Sequence, residues 1–211
     1  MKHIQSPWLK VPLADYERHM DAPSVAQASM IAETLRQLVE QKPPHSLALL
    51  GSAGGNGLDR IDPAVTRRVV AVDINPSYLE VCRERHAKRF DSFEQVNCDL
   101  SKGCPFTEPV ELVYAALVLE YVDLEIFLEY APLLVTENDR IAFVFQNRDN
   151  LCSPVSDTGI SSLLPLATVH LPVDVDEVAN RLLAHGMSVR ERRTMSTPSG
   201  KLFTLLVMTK E

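Results

Sequence analysis

Four of the eight glycines in this chain fall within seven residues, the loop 51–57 (GSAGGNG), directly behind a short apolar run at 46–50 (SLALL). Glycine takes positive φ at no steric cost and lets a backbone approach a ligand, and a helix beginning just beyond presents unpaired amide hydrogens to an anionic group. A plain strand-to-helix turn asks for the same residues, so the loop alone says little. A second apolar run narrows the choice: 69–73 (VVAVD) ends in Asp73, twenty-two residues beyond Gly51. At the end of the next strand a carboxylate can accept both hydroxyls of a ribose. The loop carries no lysine in the register of an ATP-hydrolysing phosphate loop.

The rest of the chain alternates in period. Val25, Ala28, Ile31, Leu35, Leu38 and Val39 line one face of a helix predicted over 24–41, with Ser24 as its N-cap and Pro43 and Pro44 as its stop. A short helical stretch is expected at 58–67, and Asn75-Pro76 opens a helix running to about 89. Strands are predicted at 93–97, 110–118 (VELVYAALV) and 140–146, with a helix over 123–135 between the last two. From 147 to 168 the periodicity fades into a loop or short structure, long enough to be functional. A helix over 174–185 stopped by Gly186 precedes strands at 188–194 and 202–209, joined by the turn Thr197-Pro198-Ser199-Gly200.

This order predicts a doubly wound α/β domain: a mostly parallel seven-stranded sheet with helices on both faces, an antiparallel C-terminal hairpin, and an N-terminal helical cap. The cap is placed at 1–45 and the α/β domain at 46–211. Ligands on such sheets bind at the carboxyl ends of the strands where their order reverses, here between the first and fourth strands. The glycine loop, Asp73, Asp99 and the end of the fourth strand should therefore converge.

Composition bounds the function. The 211 residues allow one core, and a net charge of −7 argues against a large nucleic-acid footprint and for small acceptors. No apolar stretch approaches the roughly 18 to 20 residues of a membrane span, and the first ten residues lack the apolar run of a secretory signal, so the chain reads as cytoplasmic. Cys82, Cys98, Cys104 and Cys152 form no C-x-x-C pair and read as free thiols, with no metal site expected.

With these motifs in order, the sequence resembles the class I S-adenosylmethionine-dependent methyltransferases, whose fold is Rossmann-like. The first motif matches 47–57 (LALLGSAGGNG), the acidic position matches Asp73 in VVAVDINP, the adenine-side loop matches Asn97-Cys98-Asp99-Leu100, and the fourth-strand motif matches VELVYAALVLEYVD. The resemblance implies that Gly51, Ser52, Ala53 and Gly55 line the methionine moiety, that Asp73 accepts the ribose hydroxyls, and that Ile74 packs on the adenine. It implies that Asp99 accepts from the adenine amino group, with Leu100 beside it. The chain departs from that pattern at Leu49, often acidic in the family, and at Ala53, a frequent glycine.

Methyl transfer is an in-line displacement in which alignment and water exclusion do most of the work. A base helps where the acceptor is a hydroxyl or a protonated amine. The candidates are Glu120 and Tyr121 after the fourth strand, and Tyr16 and His19 in the segment DYERHM, which with Trp8 and Met20 is expected to fold over the cofactor as a lid. Each has a plainer reading, Glu120 as a helix-start carboxylate and His19 as a packed histidine. The loop 153–162 is expected to contact the acceptor. A nicotinamide-dependent oxidoreductase shares the loop and the distant acid, but Ala53 breaks the G-x-G-x-x-G register and no tyrosine is followed by lysine four residues on. A non-catalytic cofactor-binding domain is the third reading, since fold does not establish activity.

Overall fold

The computed structural model describes residues 6–103, 106, 108–147 and 153–211. Cys104 and Cys152 lie outside the described residues, Cys82 is a free thiol, and Cys98 Sγ donates to Gly103 O at 2.7 Å. The parallel strands are β1 (Ser46–Leu50), β2 (Arg68–Asp73), β3 (Ser92–Asn97), β4 (Leu112–Ala116) and β5 (Arg140–Gln146), and β6 (Met187–Ser196) and β7 (Leu202–Lys210) form the antiparallel hairpin. They make one seven-stranded sheet in the order β3-β2-β1-β4-β5-β7-β6. β1 therefore pairs with both β2 and β4, and the crevice between their carboxyl ends is the reversal point anticipated from the motif order.

Among the described residues, α-helices cover both faces of the sheet. α2 (Gln27–Gln41) sends Ile31, Leu35 and Leu38, and α3 (Pro76–His86) sends Leu79 and Cys82, onto one face, where they meet Leu47, Leu49, Val69 and Ala71. α4 (Leu124–Tyr130) and α6 (Val175–Ala184) bring Phe127, Leu128, Val178 and Leu182 to the other, against Ala48, Leu50, Val70 and Val72. The central strands are buried on both faces, which is why they read as continuous apolar runs. α1 (Leu13–Asp21) packs against α2 above the carboxyl ends of the strands, and α5 (Leu164–Val169) gathers with it around Val11, Leu163 and Leu166. No helix among the described residues is long and apolar enough to cross a membrane.

Several boundaries differ from the sequence reading. α2 starts at Gln27, behind Ala26 at φ +50 and with no side-chain cap, so Ser24 is not its N-cap; Val25 and Ala26 turn back onto the Ala22 carbonyl instead. The stretch 58–67 holds only one 3-10 turn, Leu58–Arg60, because Pro63 keeps Asp62 out of helical geometry. The helix expected beyond the glycine loop is thus missing, and with it a helix N-terminus for an anion. α3 ends at His86 and passes into the 3-10 turn Ala87–Arg89, while its Asn75 cap accepts from Ser77 N at 3.0 Å, as anticipated. β4 stops at Ala116 because Leu117 takes φ +56, and α4 gives way to the 3-10 turn Ala131–Leu134 at Pro132.

Candidate active site

The two pairings of β1 open a cleft of about 620 Å³ above the sheet. Gly51 and Ala53 of the loop, Asp73 and Ile74 beyond β2, and Asp99 and Leu100 beyond β3 all line it, so six of the eight predicted cofactor residues converge. Ala116, Leu117, Val118 and Val122 close the opposite wall. Ser52 and Gly55 face a neighbouring cavity of about 1070 Å³ with Glu17, Arg85 and His86, and Gly51 and Ala53 line both.

Asp73 is 8% exposed, and each carboxylate oxygen accepts one backbone hydrogen, Oδ1 from Asn75 N at 2.8 Å and Oδ2 from Ala53 N at 2.9 Å. Each oxygen keeps a further lone pair for a ligand. Burial outweighs those bonds and raises its pKa to about 6. Asp99 caps the next turn by accepting from Ser101 N at 3.1 Å and pairs with Lys102 at 3.0 Å, so its cap role and its place in the cleft coexist. At Gly51, with φ +65, a Cβ would stand 2.9 Å from Val118 Cγ2, which makes glycine a condition of the open cleft. Gly55, with φ +86, is held to glycine by His86 and Cys82 of α3.

Of the N-terminal segment, Trp8 and Tyr16 line this cleft, while His19 and Met20 lie behind it. Trp8 stands edge-on to Tyr16 at 5.5 Å and to Tyr121 at 5.1 Å, and Tyr16 stacks on Tyr78 at 6.5 Å. Backbone carbonyls pin the segment down: Trp8 O accepts from Asn75 Nδ2 at 2.9 Å and Val11 O from Tyr78 Oη at 2.8 Å. Arg85 pairs with Glu17, and the loop 153–162 joins in through Ser162 Oγ, which donates to Asp15 Oδ2 at 2.7 Å.

Of the four acid–base candidates, Tyr16 and Tyr121 line the cleft while His19 and Glu120 line a smaller chamber behind it, of about 480 Å³, which Tyr16 and Tyr121 also share. Burial pushes both phenols well above their usual range, so they stay protonated at neutral pH. His19 Nδ1 lies 2.9 Å from Thr158 Oγ1, and burial with Lys201 nearby lowers its pKa. Glu120 is buried in the turn Leu119–Tyr121, accepts from Gln146 N at 2.9 Å, and is raised by burial to about 7.

Sequence reasoning missed Leu117, whose positive φ no leucine advertises, and Tyr78, read only as part of a helix. It also missed Gln146 and His170, brought to the chamber from the end of β5 and from beyond α5. Only the unpatterned length of 147–168 hinted that this part of the chain returns to the site.

No cation lines the main cleft among the described residues, whereas two carboxylates do. That suits an uncharged nucleoside with a positively charged sulfur better than the pyrophosphate of a dinucleotide. The comparisons agree. A family described as methyltransferase domain matches residues 49–137. The matched stretch covers less than half of the chain. It runs from the end of β1 through the loop, Asp73, Asp99 and Glu120, and a domain of this kind implies S-adenosylmethionine as its methyl donor.

The fold is also that of solved methyltransferases. Magnesium protoporphyrin IX methyltransferase from Synechocystis, with S-adenosylmethionine bound, aligns over 100% of both chains at a TM-score of 0.73 and 10% identity. The N-methyltransferase NodS from Bradyrhizobium japonicum, in complex with S-adenosylhomocysteine, aligns over 98% of this chain and 97% of its own at 0.72 and 15% identity. A 1,6-didemethyltoxoflavin N1-methyltransferase from Burkholderia thailandensis, with its acceptor and S-adenosylhomocysteine bound, aligns over 94% and 86% at 0.63 and 15% identity. The sequence has no match among curated proteins.

Proposed function

We propose that this protein transfers a methyl group from S-adenosylmethionine to a small-molecule acceptor. The observation that carries the reading is the cleft at the β1–β4 crevice, walled by apolar side chains, carrying Asp73 and Asp99, and lined by no cation among the described residues. The residues fit the cofactor. Asp73 has lone pairs to spare for two ribose hydroxyls, Ile74 and Leu100 offer apolar surface to an adenine, and Asp99 stands beside them for its amino group. Gly51, Ser52, Ala53 and Gly55 border the space for the methionine moiety.

When bound, the cofactor supplies the methyl group and its own leaving group. The chain's part is to align the acceptor and exclude water, which the lid of Trp8, Tyr16 and Tyr121 is placed to do. Residues 1–45 act in this reading as a cap on the cofactor-binding domain 46–211, with α2 as its anchor on the sheet. Tyr16 and Tyr121 are protonated wall residues, and Glu120, raised by burial to about 7, is the group placed to take up a proton near neutral pH, while burial and Lys201 lower the pKa of His19. A cytoplasmic setting matches a diffusible acceptor.

Calorimetric titration of the full chain tests the reading: S-adenosylmethionine and S-adenosylhomocysteine bind, and NAD gives no heat. Tight NAD binding without a response to either sulfur nucleoside overturns it.

A further inference from the structure

The chamber behind Tyr121 has one feature that folding alone does not account for. Glu120 is 1% exposed, its Oε1 accepts from Gln146 N, and its Oε2 has no hydrogen-bond partner among the described residues. Holding the end of β5 needs only one oxygen, which a glutamine would supply without a buried charge. A buried polar atom left unpaired is costly, and more so if charged. Glu120 lines the chamber, and a ligand that donates a hydrogen bond to the second oxygen relieves the cost.

The walls define that ligand further. The rings of Trp8, Tyr16, Tyr121 and His170 border the space, with Tyr121 edge-on to both Trp8 at 5.1 Å and His170 at 5.5 Å. Leu117 and Val155 supply apolar surface between them. Flat aromatic ligands suit such a lining, since rings pair edge-to-face at these separations. No lysine or arginine lines the chamber among the described residues. Burial, then Lys201, holds both His19 and His170 below the usual histidine range, so an anion finds no charged partner on the wall. The nearby Lys201 ammonium donates to Pro154 O at 3.2 Å and Ser156 Oγ at 3.1 Å.

We propose that this chamber is the acceptor site and that it takes an uncharged aromatic molecule whose N–H or O–H donates to Oε2 of Glu120. The assignment rests on the methyltransferase reading for its role, because the chamber shares Trp8, Tyr16, Leu117 and Tyr121 with the cofactor cleft. Its ligand chemistry rests on the chamber alone. Glu120 thereby becomes the residue that selects and orients the acceptor.

The test is calorimetry on the full chain, with and without saturating S-adenosylhomocysteine, using probes paired by shape. Indole is set against benzothiophene and 2-naphthol against naphthalene, with benzoate as the anion. Indole and naphthol bind at least tenfold more tightly than their donor-free partners, and benzoate gives no heat. Glu120→Gln weakens the two donors at least tenfold and the donor-free pair less than threefold, with circular dichroism confirming that the variant is folded. The proposal is overturned if neither donor binds, if donors and donor-free partners bind alike, or if benzoate binds best. A chain that ignores S-adenosylhomocysteine yet still discriminates indole from benzothiophene counts against the methyltransferase reading and for the chamber, so the two failures are separable.

Discussion

Replacing Asp73 by asparagine keeps the size of the side chain and removes its charge and half of its accepting capacity. In the free protein Oδ1 and Oδ2 each hold one backbone N–H, at 2.8 and 2.9 Å. Asparagine can satisfy one of these with its carbonyl, while its amide must face the other N–H and one ribose hydroxyl donor to donor. A hydrogen bond to an ionised group contributes about 1.5–3 kcal/mol, so losing one such bond to the ribose weakens S-adenosylhomocysteine by roughly 10- to 150-fold. The charge adds a second signature. With a folded-state pKa of about 6, Asp73 is increasingly protonated below that pH, and wild-type affinity falls toward tenfold per pH unit there. The Asp73→Asn variant is flat over the same range. Calorimetry from pH 5 to 8 reads both effects, with circular dichroism as the check on folding. Affinity within twofold of wild type at pH 8 removes Asp73 from the ribose role, and a variant retaining the acid-side loss assigns that loss to another group.

The glycine loop and the buried glutamate give further expectations. Gly51→Ala combines the strain of φ +65 with a Cβ 2.9 Å from Val118 Cγ2, whereas Gly186→Ala meets open space at φ +77 and carries the strain alone. Both lower the melting temperature by roughly 2–8 °C for strain of about 1–2 kcal/mol, and only Gly51→Ala falls further and loses S-adenosylhomocysteine binding; equal losses in the two variants refute the close approach. Glu120, raised by burial from 4.5 to about 7, binds its proton more tightly folded than unfolded, so its contribution to stability is full below pH 4.5 and lost as pH rises through 7. In urea titrations at pH 4.5 and 7.5, Glu120→Gln therefore gains about 3 kcal/mol on wild type between the two, and a difference that stays constant with pH shows that the carboxylate is not ionised at a cost.

The sheet and the cofactor cleft were legible because local sequence dictates them. SLALL, VVAVD and RIAFVFQ are buried on both faces, so their apolar runs survive as strands in any doubly wound arrangement, and the loop and Asp73 come from the turn between two of them. The boundaries that failed depend on backbone states a propensity does not encode: Ala26 and Leu117 at positive φ, and an expected helix reduced to a turn before Pro63.

The second half of the site was illegible for a different reason. Glu120 shares its chamber with His19, Gln146 and His170, from four separate stretches of chain, and no period or motif links them. Sequence by itself determined the strand order's reversal point and the residues that fall at strand ends, since short-range pattern and chain connectivity suffice for both. Only the tertiary structure decided that the N-terminal segment closes over that point and that Glu120 keeps an unpaired oxygen beneath it, because burial and the absence of a partner are properties of the packed chain and not of any segment.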